Sequence, residues 1–183
     1  MHKKILDQNN SLLLIIDIQE KFKNIIYNSE KVIENTIKLV KTANWLEIPV
    51  VYTEQYPKGI GPTVEEIKQH LDKAKYFDKL TFSCCGNTEF ISYLKSTGKN
   101  QIIVCGIETH ICVNQTVHGL LENNFIPHLI IDAVGSRVIE NLEVGINKMR
   151  DSGAVISCLE MCLFELMDNS KHPYFKDIQK LII

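Results

Sequence analysis

Three side chains of this sequence have the type and setting for chemistry: Cys112, Asp17 and Lys79. Cys112 lies in the stretch CGIETHICVNQT, where an apolar run breaks at Gly106 and a helix begins a few residues later. If Thr109 caps that helix, Cys112 takes its third position. Unpaired N–H groups and the positive end of the helix dipole then face the sulfur. Such a setting favours the thiolate and lowers the thiol pKa. The competing reading is a buried cysteine that only fills the core, and spacing leaves both open. Asp17 closes the apolar run SLLLII. A carboxylate there must be solvated, paired or functional, because an unpaired buried charge is costly. It could equally cap the following segment or form a structural ion pair. Lys79 sits in YFDKLTFSCC, where a lysine could anchor an anion or lower a neighbouring thiol pKa. A surface lysine with a buried stem is the plainer reading.

The elements that must position these groups alternate in type. Residues 12–16, 49–53, 101–105, 127–131 and 154–158 read as strands, with 75–79 a short strand or extended segment. Apolar residues recur every three or four positions in 29–46, which predicts a helix. Helices are also predicted over 89–95, 109–123, 138–150, 160–167 and 175–181. Thr63 and Glu66 fit a capping box opening a short helix toward Leu71. EQYPKGIGPT reads as a loop from its Pro and Gly content. Strands separated by helices imply a single α/β domain, a three-layer α/β/α sandwich with a mostly parallel sheet. Ligands of such folds bind beyond the carboxyl ends of the strands. That rule points to Asp17, to Thr53-Glu54-Gln55-Tyr56, to the segment from Gly106 to Cys112, and to Asp132.

Composition narrows the function classes. The 183 residues are 45% hydrophobic and 23% charged, with a formal net charge of -2, so a nucleic-acid partner has no basic patch to bind. No apolar run approaches the ~20 residues of a bilayer span. The start of the chain reads as leading into a strand and not as a secretory signal. With six cysteines mostly inside apolar segments, this suggests reduced thiols in the cytoplasm. His110 and His118 are two helical turns apart, and no metal-ligand or nucleotide-binding motif is present. Neither metal nor cofactor is therefore expected. Cys158 and Cys162 read as core filling, and a redox role for Cys84 and Cys85 has no C-x-x-C to support it.

Taken in order, LLIIDIQEKF, DKLTFSCC, VCGIETHICV and DAVGSR resemble the isochorismatase-like cysteine hydrolase family, which includes nicotinamidases and N-carbamoylsarcosine amidase. The likeness spans nearly the whole chain. It implies that Asp17, Lys79 and Cys112 form a catalytic triad acting through a thioester on a small amide or related C–N substrate. It also implies a cis peptide at Ile107–Glu108 and an oxyanion hole from the backbone amides of Glu108 and Cys112. Phe22 would be an aromatic wall of the pocket and Gln19 the polar position of D-x-Q-x-x-F. With Glu54, Gln55 and Tyr56 after the second strand, these complete the expected substrate contacts. Nicotinamidases carry an Asp-x-His metal site after that strand. Here the segment is Thr-Glu-Gln-Tyr, which counts against a metal and against nicotinamide. Members that cleave the vinyl ether of isochorismate need no cysteine nucleophile, so Cys112 counts against that reaction. The resemblance further implies a homo-oligomer. A non-catalytic binding or scaffold protein of the same fold stays open as an alternative.

Overall fold

The computed structural model describes residues 4–183; Met1, His2 and Lys3, where the secretory-signal question begins, lie outside them. Six strands are Ser11–Ile16 (β1), Val50–Gln55 (β2), Lys75–Lys79 (β3), Gln101–Ile107 (β4), Ile126–Gly135 (β5) and Val155–Ser157 (β6). The helices are Ser29–Trp45 (α1), Pro57–Ile60 (α2), Glu65–Lys68 (α3), Thr88–Ser96 (α4), Asn114–Glu122 (α5), Ile139–Asp151 (α6), Leu159–Met167 (α7) and Phe175–Gln179 (α8).

All the strand pairs are parallel, in the order β3-β2-β1-β4-β5-β6. The inner strands β1 and β4 are apolar because helices cover both faces. Along β1, Leu13 and Ile15 point to one core, with Val32 and Leu39 of α1 and Leu163 of α7. Leu12, Leu14 and Ile16 point to the other, with Phe90 of α4, Val117 of α5 and Met149 of α6. This is the period-two alternation of a strand buried on both sides. From β1 the chain winds outward through β2 and β3, and from β4 it winds the opposite way through β5 and β6. The reversal opens a crevice at the carboxyl ends of β1 and β4. Asp17 directly follows β1, and Gly106 and Ile107 end β4.

Three local expectations are corrected. β5 continues past Ile131, because a register shift between Val104 and Gly106 re-pairs Gly106 with Val134 and Ile107 with Gly135. Asp132 is thus inside a strand, and its Oδ1 accepts the backbone N–H of Leu159 at the start of α7, 2.8 Å away. The capping box does not form: Val64 is the residue before α3, Thr63 bonds Glu54, and Glu66 pairs with Lys23. The loop after β2 contains one short helix, α2, with Pro57 in its first turn.

Gly106 has φ of +131°, and a Cβ there would lie 2.2 Å from the carbonyl oxygen of Ile16. Only glycine lets β4 lie against β1 at this point. Gly106→Ala is expected to lower the unfolding free energy by at least about 2 kcal/mol, from backbone strain and overlap together. Gly98→Ala, where φ is +68° but a Cβ would meet nothing, is expected to lose only about 1 kcal/mol. Urea denaturation of the two variants checks the difference.

Candidate active site

The crevice brings Asp17, Lys79 and Cys112 together. Asp17 leaves β1 with φ of +53°, in the left-handed region that aspartate enters more readily than most residues. Its N–H still donates to the Thr53 carbonyl, 3.1 Å away, so the turn is anchored to β2. The side chain is 1% exposed as a residue and would be costly if unpaired. It is fully engaged instead. Lys79 Nζ donates to Oδ2 at 2.6 Å, and Thr53 Oγ1 donates to Oδ1 at 2.7 Å.

Lys79 ends β3 opposite Gln55 in the register of the sheet. It shares a strand face with Phe77, which packs in the core beneath α4. Its ammonium also donates to Gln55 Oε1 at 2.8 Å and to the carbonyls of Phe82 and Thr81 at 3.0 and 3.3 Å. Burial pulls its pKa down, but the charge of Asp17 and the hydrogen bond to it outweigh this, so the pKa is raised. The lysine is therefore held charged inside the protein. A buried ion pair is seldom a net stabiliser, yet losing one partner typically costs 3–5 kcal/mol.

Cys112 follows β4 through a turn. Thr109–Val113 is one turn of π-helix, after which α5 begins. Thr109 is not the helix cap expected from the sequence. Glu108 holds that position without a side-chain bond, and Thr109 Oγ1 donates to the Gly135 carbonyl at 3.0 Å. The Ile107–Glu108 peptide is cis. The end of β5 clamps this corner. Arg137 donates from its backbone N at 2.9 Å and from Nε at 3.1 Å to the Glu108 carboxylate, and His110 Nδ1 shares a 3.0 Å hydrogen bond with Ser136.

The thiol pKa of Cys112 moves opposite to the sequence expectation. Burial raises it first, the Asp17 charge and a thiol-to-carboxylate hydrogen bond raise it further, and Lys79 only partly offsets them. A helix-start position is outweighed here by desolvation and a neighbouring anion. Burial and the Asp17 charge therefore favour the protonated thiol at rest.

Cys112, Asp17 and Gln55 open onto a cavity of about 100 Å³. Its other walls are Phe22, Ile60, Phe82, Ile107, Glu108 and Ile111. Of the substrate contacts expected from sequence, Phe22 and Gln55 line this cavity. Gln19, Glu54 and Tyr56 do not. Gln19 ties the loops together, donating to the carbonyls of Gln55 and Gly61 at 3.0 and 2.6 Å and accepting the Gln55 N–H at 2.7 Å. Glu54 points to the opposite sheet face from Thr53 and Gln55, as alternation along β2 demands. Its carboxylate accepts Thr63 N, Thr63 Oγ1 and Tyr76 Oη at 2.7, 2.9 and 3.0 Å. Tyr56 adopts a left-handed backbone before α2 and is half exposed.

No sequence motif gives a site role to Phe82 or Cys84, and Thr53 is marked only as part of a strand end. Cys84 is buried, with its thiol 3.8 Å from Thr53 Oγ1, so a chain of contacts runs from Cys84 through Thr53 to Asp17. The alternation that separates Thr53 from Glu54 was a usable signal. Nothing in the local pattern marks Phe82 or Cys84.

A buried acid-lysine pair beside a thiol at the switch point of a parallel sheet fits the cysteine-hydrolase class of α/β proteins. The isochorismatase domain model matches residues 11–161, and the chain belongs to the isochorismatase family. It is 39% identical over 181 residues to isochorismatase family protein 1A of Dictyostelium discoideum, covering 96% of this chain and 87% of that protein. Isochorismatase domain-containing protein 2 of Danio rerio is 40% identical over 179 residues, covering 97% and 89%. The solved structure of MAR1 ribonuclease from Caenorhabditis elegans superposes with a TM-score of 0.93 at 37% identity, covering 97% of this chain and 92% of that one. Among the described residues, no helix is long and apolar enough to cross a membrane.

The buried thiols make stability depend on alkaline pH. Burial, then the Asp17 charge, pushes Cys84 up to about 11, and burial pushes Cys105 up to about 12, from an ordinary value of 9.0. Above about pH 9 the unfolded chain releases these protons while the native state keeps them, so stability falls with rising pH. The fall should level off only beyond the native values, and Lys79 acts in the same direction. Urea midpoints measured from about pH 8 to pH 11 are expected to decline, less steeply for Cys105→Ala.

Proposed function

We propose that the protein is a metal-independent cysteine hydrolase that cleaves a small amide or related C–N bond through a thioester. The observation that carries this reading is that Cys112 and Asp17 line one cavity, with the Asp17 carboxylate fixed on its other side by Lys79 and Thr53. On substrate binding, Asp17 takes the thiol proton and the sulfur attacks the carbonyl carbon. Lys79 stabilises the new thiolate and restrains the carboxylate. The backbone amides of Glu108 and Cys112 serve as the oxyanion hole, a role supported by both residues facing the cavity and by the clamp from Arg137 on Glu108. The C–N bond breaks as protonated Asp17 returns its proton to the leaving nitrogen. Water, deprotonated by Asp17, then attacks the thioester. The acyl group leaves as a carboxylic acid, and the proton returns to the sulfur.

The nematode relative is named a ribonuclease. The cavity beside Cys112 has mostly apolar walls and the nearby Lys79 is already paired with Asp17, so RNA is not adopted as the substrate. The six free cysteines support a cytoplasmic location, and exposed apolar side chains such as Tyr27 and Leu80 support assembly into a homo-oligomer.

Incubation with a panel of small amides, followed by mass spectrometry of the intact protein, tests the reaction. Wild type should turn over at least one amide, and Cys112→Ala should form no acyl adduct. Asp17→Asn should lower turnover by at least about 100-fold, in line with loss of a positioned base. Ligand retention without turnover or adduct in wild type would favour the non-catalytic binding reading.

A further inference from the structure

The cavity also carries information about which substrates can reach Cys112. At about 100 Å³ it is small and suits a compact acyl group. Five of its walls are the side chains of Phe22, Ile60, Phe82, Ile107 and Ile111. Each charged group nearby is already neutralised by a partner inside the protein. Lys79 is 6% exposed and donates to four oxygens, one of them on Asp17. The Glu108 carboxylate is taken by the backbone and guanidinium of Arg137. A carboxylate or phosphate entering the cavity would lose its hydration beside Asp17 and gain no cation in return. An ammonium would meet an Asp17 charge already neutralised by Lys79, with the Lys79 ammonium close by to repel it.

We infer that this site selects small, uncharged substrates with an apolar acyl group and rejects acyl groups bearing a second charge, with Phe82 at the mouth setting that preference. The inference rests on the hydrolase reading above, because it assumes that the reacting carbonyl sits beside Cys112. Phe82 suits the role because its side chain is 54% exposed while its backbone carbonyl holds Lys79. A substitution can therefore change the mouth and leave the Lys79 contact in place.

Paired alkylating probes separate charge selection from chemical competence. Iodoacetamide and iodoacetate form the same S–C bond and release the same iodide, with the thiol proton passing to Asp17; they differ in charge. Rates at Cys112, read by peptide mass spectrometry, are compared with those of glutathione as a free thiol. The neutral reagent is expected to be favoured at Cys112 by at least about tenfold more than at glutathione, as befits a charge denied both water and partner. Phe82→Arg is expected to recover most of the iodoacetate rate. A Cys112 preference equal to that of glutathione would overturn the inference while leaving the hydrolase reading standing. No alkylation of Cys112 by either reagent, with the half-buried Cys158 thiol reacting, would overturn the hydrolase reading and the inference with it. In hydrolysis, propionamide should be cleaved and succinamate left intact; the reverse would again sink the inference alone.

Discussion

The buried ion pair between Asp17 and Lys79 is the constraint around which the site is organised. Two opposite charges, each almost without solvent contact, can persist only when every polar atom is met. That requirement draws in Thr53, Gln55 and the carbonyls of Thr81 and Phe82. It thereby fixes the ends of three strands and the loop after β3 relative to one another. The pair is a poor means of stabilising a fold, since apolar residues of similar size would serve as well or better. Its presence makes physical sense where an ionised carboxylate must face a thiol away from water.

The sheet supplies the precision that this pair needs. β1 and β4 are neighbours from Ser11 to Ile16 and from Gln101 to Gly106, so the acid and the corner carrying Cys112 are one strand spacing apart. Gly106 permits the close approach, and the residues from Gly135 to Arg137 hold the corner from the other side. Lys79 arrives from the outermost strand β3, carried by the Gln55 register. The site is thus built from rigid strand ends, with loops closing the cavity through Phe22, Ile60 and Phe82.

Much of this was legible in the sequence. Apolar runs closed by Asp17 and by Gly106 marked buried strands, and the carboxyl-end rule then pointed to the right edge of the sheet. The three reactive side chains were visible as exceptions to their apolar surroundings. What escaped was set by contacts distant in sequence. Glu54 looked like a ligand because it follows a strand, but its face of the sheet meets Thr63 and Tyr76. Gln19 looked like a substrate contact, but its amide is spent on three backbone groups. The direction of the Cys112 pKa shift could not be read from a helix start, because burial and Asp17 act from other parts of the chain. Phe82 gave no signal at all, since its side chain follows no period and only the loop after β3 brings it to the cavity.

Burial and the adjacent Asp17 carboxylate raise the Cys112 pKa and so favour a protonated thiol at rest over a preformed thiolate. Infrared difference spectroscopy between wild type and Cys112→Ala at neutral pH addresses this most directly, through the S–H stretch. The expected result is an S–H band that is lost in Cys112→Ala, lies at low frequency in wild type beside the Asp17 carboxylate, and moves upward in Asp17→Asn. Absence of that band, with ultraviolet thiolate absorption that disappears in Cys112→Ala, would contradict it.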